Sequence, residues 1–226
     1  MKPDISRRIA AEWLGTACLL TAIVGSGIMA ERLATGSPAL ALLANTLATA
    51  AVLVVLITAF APISGAHFNP AVTLALAARG EIRWRTAAAY GSAQLSGAVA
   101  GVWLAHLMFG APLLEWGGQE RSGPGLWLSE AVATFGLVLT ILTTRRATPA
   151  AVPLVVGLYI LAAYWFTAST SFPNPAVTLA RALTDSFAGI RPLDVPLFVV
   201  AQLAGTLAAV ALGHWLLADR EPLRSS

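Results

Sequence analysis

Six long apolar stretches, at about 9–30, 39–60, 86–109, 126–144, 150–170 and 195–217, alternate along the chain with short polar ones. Each reaches the ~20 mostly apolar residues that a helix needs to cross hydrocarbon, so each predicts a spanning helix. The separators are brief. Residues 31–38 hold Glu31, Arg32, Gly36 and Pro38, residues 110–125 are rich in Gly and Pro with Glu115, Glu120 and Arg121, and residues 145–149 run Arg145, Arg146, Ala147, Thr148, Pro149. None could house a soluble catalytic domain. Two further segments, 61–80 and 171–191, are too apolar for water and too interrupted to prolong a neighbouring span, and both carry Asn-Pro followed by a short helix-forming run. Non-helical backbone at membrane depth is tolerated only where it lines a cavity or packs inside protein, so these two segments carry the most information.

Composition agrees with a membrane solvent. Hydrophobic residues make up 57% of the chain and charged residues 11%, against roughly 25% charged in an average soluble domain. Disorder needs the opposite balance. The single cysteine, Cys18, allows no intramolecular disulfide and no cysteine-based metal cage. No small-residue cleavage site with polar residues after it follows the first stretch, which therefore reads as a retained span and not a signal peptide. The net charge of +3 matters only through its placement. Lys2, Arg7, Arg8, Arg79, Arg83, Arg85, Arg145, Arg146, Arg220 and Arg224 fall on one side of the predicted spans; Arg32, Arg121, Arg191 and, close by, Arg181 fall on the other. The positive-inside rule places both termini and the two Arg-rich loops in the cytoplasm, and an even number of spans agrees.

The chain also repeats. Asn-Pro-Ala-Val-Thr-Leu-Ala occurs at 69–75 and again at 174–180. Around it, Glu12 and Thr16 recur as Glu130 and Thr134, Ala93-Gln94-Leu95 with Gly97 recurs as Ala201-Gln202-Leu203 with Gly205, and His106 recurs as His214. One unit is span, span, Asn-Pro segment, span. Three spans is an odd number, so the second copy must be inserted upside down, the inverted arrangement of many transport proteins with sites at the repeat interface. The predicted fold is all-α and integral to the membrane: six transmembrane helices plus two re-entrant half-helices in one channel domain, 1–226, with repeats at about 9–109 and 126–217.

These residues strongly resemble the aquaporin (major intrinsic protein) family. Those that carry the resemblance are Ser64-Gly65-Ala66-His67-Phe68-Asn69-Pro70-Ala71-Val72-Thr73, the second Asn174-Pro175-Ala176, and Glu12 with Glu130. It covers nearly the whole chain.

Physics independent of the family supplies much of a pore. Proline suits the first helical position and asparagine before it is a good N-cap, so each motif starts a short helix, about 70–79 and 175–184. In an inverted repeat the two N-termini meet at the midplane. Each acts as roughly +0.5 charge, which obstructs cations while neutral molecules pass. The amides of Asn69 and Asn174 can donate to a passing hydroxyl oxygen, and the resemblance implies the same roles. Carboxylates inside spans are expensive. Glu12 and Glu130 read as acceptors for backbone N–H groups of the re-entrant segments, in preference to a proton relay, because no chain of other acids exists. His67 either lines the inner mouth or packs as a hydrogen-bonded histidine. His106 and His214 read as interfacial. Gly97, Gly101 and Ala105, with Gly205, Ala209 and Gly213, form small-residue stripes for close helix packing.

One position departs from the family. Most aquaporins have arginine directly after the second Asn-Pro-Ala, whereas Val177 stands here. The resemblance places the other filter residues at Thr49, Ala162 and Ser171, which implies a filter that is small, uncharged and without an aromatic ring. Arg181, one turn beyond Val177, belongs either to the outer vestibule or to a salt bridge with Asp185 at i, i+4 spacing. Valine at 177 is similar to bacterial aquaglyceroporin-like channels associated with arsenic resistance. That narrower likeness implies passage of arsenite and antimonite as neutral hydroxides, with methylated arsenicals, glycerol and water as further solutes, and a bacterial-type inner (plasma) membrane location. The expected partners are the lipid bilayer and small neutral solutes, with a homotetramer implied by resemblance; no nucleic acid, no cofactor and no metal are expected. Competing readings are an orthodox water/glycerol facilitator, an ion-coupled secondary transporter, a junction protein with an occluded pore, and an enzyme. For the transporter no midplane Asp or Lys cluster is found, and for the enzyme no His-Glu-x-x-His, Gly-x-Ser-x-Gly or clustered acids.

Overall fold

The computed structural model describes residues 3–218. Lys2, Arg220 and Arg224, used above for orientation, lie outside the described residues. The described chain is all-helical: α1 (Ile5–Leu33), α2 (Pro38–Ser64), α3 (Pro70–Ala78), α4 (Trp84–Phe109), α5 (Pro124–Ala147), α6 (Val152–Phe166), α7 (Pro175–Arg181) and α8 (Val195–Leu216). Six helical stretches are long and apolar enough to cross a membrane, the fifth reaching that length only together with the helical turn Pro149–Ala151 that leads into α6; α3 and α7 are the two short helices.

Local chemistry sets the boundaries. Asp4 caps α1 by accepting from the Arg7 N–H at 2.9 Å. Prolines occupy the first turns of α2, α3, α5 and α7, where the missing N–H has no helical partner. Gly65 ends α2 in the left-handed region, with φ of 96°. α6 stops at Phe166, short of the 170 expected from hydropathy. The reason is local: Thr170 and Ser171 sit at φ of 60° and 55°, which no helix continues, and Ser169 is pulled sideways onto Glu130. Likewise α7 ends at Arg181 and not at 184.

Helix pairs recur between the two halves. α1 lies against α4 and α5 against α8, in both cases at glycines. A Cβ on Gly97 or Gly101 would collide with the carbonyl oxygens of Trp13 or Ala17, and one on Gly205 with that of Ala131. Small residues let the backbones approach, which supplies packing energy where the hydrophobic effect cannot. α2 crosses α6 in the same way, with Gly157 against Ala50 and Val54. The large apolar side chains left outside, such as Leu33, Val55, Leu107, Leu128 and Trp215, are well exposed, as a lipid-facing surface requires.

His106 corrects one expectation. It is fully buried, with Nδ1 2.6 Å from the Pro112 carbonyl and Nε2 2.9 Å from Thr184 Oγ1. It ties the end of α4 to the segment after α7 and is not interfacial; its repeat partner His214 is exposed.

Candidate functional site

The two Asn-Pro segments meet. Asn69 caps α3, its Oδ1 accepting from Ala71 N at 2.8 Å, and Asn174 caps α7, its Oδ1 accepting from Ala176 N at 3.0 Å and Val177 N at 3.3 Å. Pro70 and Pro175 follow as first helical residues, and Ala71 and Ala176 are fully buried. Each asparagine also reaches across the junction. Asn69 Nδ2 donates to the Pro173 carbonyl at 2.7 Å, and Asn174 Nδ2 donates to the Phe68 carbonyl at 2.8 Å. An amide nitrogen has two hydrogens. One is used in this exchange, which leaves each asparagine one donor.

A buried glutamate holds each segment. Glu12 Oε1 accepts from Ser64 Oγ at 2.6 Å and His67 N at 3.0 Å, and Oε2 from Phe68 N at 2.7 Å and Gln94 Nε2 at 2.8 Å. Glu130 repeats the pattern with Ser169 Oγ at 2.6 Å, Phe172 N at 2.8 Å and Gln202 Nε2 at 2.7 Å. The second set is one bond short because Pro173 stands where Phe68 stands in the first, and proline has no N–H. Gln94 and Gln202 also donate to Thr73 and Thr178, the threonines of the repeated heptapeptide. The seven bonds to Glu12 and Glu130 each point a donor at a carboxylate, and they restrain loops whose backbone is strained. Ala66, Phe68, Thr170 and Ser171 all have φ between 49° and 60°, a region costly for residues with a Cβ.

Around this junction lies a cavity of ≈ 460 Å³. Its wall is aliphatic: Leu19 and Ile23 from α1 face Leu137 and Ile141 from α5, and Leu53 and Ile57 from α2 face Val156 and Ile160 from α6. Polar atoms come from the two Asn-Pro segments and from the ends. Along α6 the lining runs from Val152 to Tyr164, a path of about 18 Å at 1.5 Å per residue. At the Val152 end stand His67 and Arg145. His67 both lines the cavity and bonds, its Nδ1 3.0 Å from Thr73 Oγ1 and its ring edge-on to Tyr90. Arg145 is held 3.0 Å from Glu81, which also pairs with Arg79. At the Tyr164 end stand Thr49, Ser171, Phe172, Val177 and Arg181. No Asp or Glu is among the residues that line the cavity.

Ala162 does not join them. It is exposed on the outer side of α6, while Tyr164 is 3% exposed, lines the cavity and approaches Thr49 Oγ1 with its hydroxyl at 3.5 Å. Residues two apart on a helix point nearly opposite ways, so Ile160 and Tyr164 inside put Ala162 outside. Where a small, ring-free and uncharged set was expected, this end of the cavity is also lined by the ring of Tyr164 and the charge of Arg181. Arg181 does not pair with Asp185. Its guanidinium carbon lies 3.4 Å from the Phe172 ring centroid and its Nε donates to the Ala188 carbonyl, while Asp185 accepts from Gly118 N. Phe172 has a second cation, Arg121, with its guanidinium carbon 4.9 Å from the ring centroid. Arg121 donates to the Gly189 carbonyl at 2.9 Å; burial pushes its pKa down, against the opposing pull of Glu130 and Tyr164.

Six membrane-length helices surrounding two half-helices that abut cap to cap beside a cavity define a membrane channel. Comparison with known proteins gives the family. A model of the family described as major intrinsic protein matches residues 1–172. Aquaglyceroporin AqpS of Rhizobium meliloti (strain 1021) is 58% identical over 220 residues, covering 97% of this chain and 94% of that protein. Aquaporin TIP4-4 of Zea mays is 35% identical, covering 96% and 90%. Among solved structures, the X-ray structure of the aquaglyceroporin from Plasmodium falciparum superposes with a TM-score of 0.72 at 24% identity, covering 94% of this chain and 95% of that one, a likeness of fold. The chain belongs to the major intrinsic protein family.

Proposed function

We propose that the protein is a passive channel for small neutral hydroxylated solutes: metalloid hydroxides such as arsenite and antimonite, together with glycerol and water. The observation that carries this reading is the cavity itself. It passes both asparagine amides, its wall is aliphatic, and its lining holds two arginines and no carboxylate. A neutral solute meets a donor from Asn69 and one from Asn174 at the junction, with aliphatic wall between there and the polar groups at the two ends. Conduction needs binding weak enough to leave. A cation meets net repulsion. At ~8 Å and an effective dielectric of ~20, the Arg181 guanidinium costs a unit positive charge about 2 kcal/mol, the two helix N-termini add partial charges of the same sign, and Arg145 adds less because Glu81 pairs with it.

Arsenite is favoured as a solute by Val177, which is short where most of the family has arginine, and glycerol by the 58% identity to a protein named an aquaglyceroporin. We assign Thr49, Tyr164, Ser171 and Val177 to the solute-selecting constriction. Pairing of equivalent bonds at Glu12 and Glu130 supports a single channel domain built from two inverted repeats. The distribution of arginines supports cytoplasmic termini in a bacterial plasma membrane, and family membership supports a homotetramer. An orthodox water/glycerol facilitator is the second reading, favoured by the ring of Tyr164 and the charge of Arg181 at the constriction.

Stopped-flow measurement of water, glycerol, urea and arsenite permeability in reconstituted vesicles separates these. Arsenite and glycerol flux well above protein-free vesicles, independent of any ion gradient, is the expected result. Gradient-dependent, saturating uptake would instead mean a coupled transporter, and water flux alone would mean the orthodox reading.

A further inference from the structure

Arg181 is 98% withdrawn from solvent (2% exposed) and, among the described residues, forms no salt bridge. Taking a guanidinium out of water without a counter-ion is costly. Three contacts hold it in place and none neutralises it: Nε to the Ala188 carbonyl, the stack on Phe172, and a side-chain hydrogen bond with Tyr164. Nη1 is buried with no hydrogen-bond partner. The residue beside Phe172 is Ser171, whose Oγ is also buried and unpartnered. Both side chains line the cavity. Two polar side chains, one a charged donor and one a hydroxyl that donates or accepts, thus stand at the same end of the path, each with one buried atom that nothing in the protein satisfies. Buried polar groups are otherwise nearly always bonded.

We propose that Arg181 and Ser171 form a solute site at this end of the pore, and that the Arg181 guanidinium decides which charge class enters. The site takes an oxygen that accepts from Nη1 and a hydroxyl that pairs with Ser171 Oγ, the pattern of an uncharged polyhydroxylated molecule. It turns away ammonium and guanidinium cations. The charge reaches the constriction from the end of α7, one turn past Val177, so the lumen keeps the width a valine allows at 177 while remaining closed to cations. This assignment rests on the channel reading.

The test uses Ser171→Cys in a Cys18→Ser background, since Cys18 is the one other thiol. Modification of the new cysteine by an anionic sulfonatoethyl and a cationic trimethylammonioethyl methanethiosulfonate is timed in vesicles, and each rate is divided by that for a free thiol. A nearby unpaired guanidinium should favour the anionic reagent by at least about tenfold. Arg181→Gln, or Arg181→Met if Gln does not insert, should bring the ratio to within about threefold of unity, and Arg181→Lys should retain it. A ratio near unity in the Arg181 protein overturns the proposal even where no Arg181 variant folds. So does a preference that persists without the guanidinium, which would belong to Arg121. Glycerol flux through the wild type is recorded alongside. Its absence would sink the channel reading, whereas the thiol ratio reports the charge at Ser171 whether or not solute passes.

Discussion

Val177→Arg places a second guanidinium four residues before Arg181 on the same helix. Side chains at i, i+4 have Cβ atoms ~6 Å apart, and two unit charges at ~6 Å and an effective dielectric of ~20 repel by about 3 kcal/mol. Val177 is 4% exposed and Arg181 2%, so water screens this little. The single variant is expected to lose about 3 kcal/mol of stability and most of its inserted, folded fraction. What does insert should carry a constriction filled by two long side chains, with glycerol and arsenite permeability falling at least about tenfold relative to water. Val177→Arg combined with Arg181→Leu removes the repulsion and returns a single charge to the filter. It should recover the folded fraction and keep the low glycerol-to-water ratio. Fluorescence-detected gel filtration gives the folded fraction, and stopped-flow light scattering on vesicles of matched protein content gives the ratio. An unchanged ratio in the double variant means that Val177 does not face the solute path. A single variant as stable as the wild type means that the two guanidinium groups are not close, and the placement of Arg181 at the cavity fails with it.

Three further outcomes are expected. Asn69→Ala or Asn174→Ala removes an amide donor, a cap worth ~1 kcal/mol and the bond across the junction, so solute flux per inserted channel should drop by much more than abundance in a membrane blot; equal flux in both would remove the amides from the mechanism. Glu12→Gln should be more damaging than Glu130→Gln, because Glu12 accepts four hydrogen bonds and Glu130 three; bonds to a charged acceptor contribute ~1.5–3 kcal/mol each, and thermal melting in detergent should rank them in that order. Mercurials should inhibit the wild type weakly, since Cys18 is only half-buried on α1 and is not among the cavity-lining residues, and should inhibit Ser171→Cys strongly; block of the wild type that vanishes in Cys18→Ser would show that the Cys18 face of α1, and not the Leu19 and Ile23 face, borders the path.

The six spans and the two half-helices were legible because each has a local cause. Length and apolarity mark the spans, and Asn-Pro marks the helix starts. The fixed outcome at Ala162 was not legible. α6 is apolar on every side, Val-Pro-Leu-Val-Val-Gly-Leu-Tyr-Ile-Leu-Ala-Ala-Tyr-Trp-Phe, so no polar stripe sets its rotation. Its few polar side-chain atoms, on Tyr159, Tyr164 and Trp165, fall on no single face. For Arg181 the sequence left open the outer vestibule or a pair with Asp185, and its contacts fell to Phe172 and Ala188, one nine residues earlier and the other seven later, through a loop whose path no propensity dictates. His106 was misjudged for a similar reason, because its partner Thr184 is 78 residues away.

The exchange of amide and carbonyl between Asn69 and Pro173, and between Asn174 and Phe68, has a consequence for biogenesis. Each bond joins residues more than 100 positions apart, so neither forms while the second half is still being synthesised. The first three spans enter the bilayer with the Asn69 amide and the Phe68 carbonyl unpaired in a nonpolar setting. That state is tolerable only while water or the insertion machinery attends it. Release of the protein into free lipid is therefore tied to arrival of the second half, and a chain cut within residues 110–123 should still assemble when both pieces are made together, while either piece alone remains a substrate for membrane proteolysis.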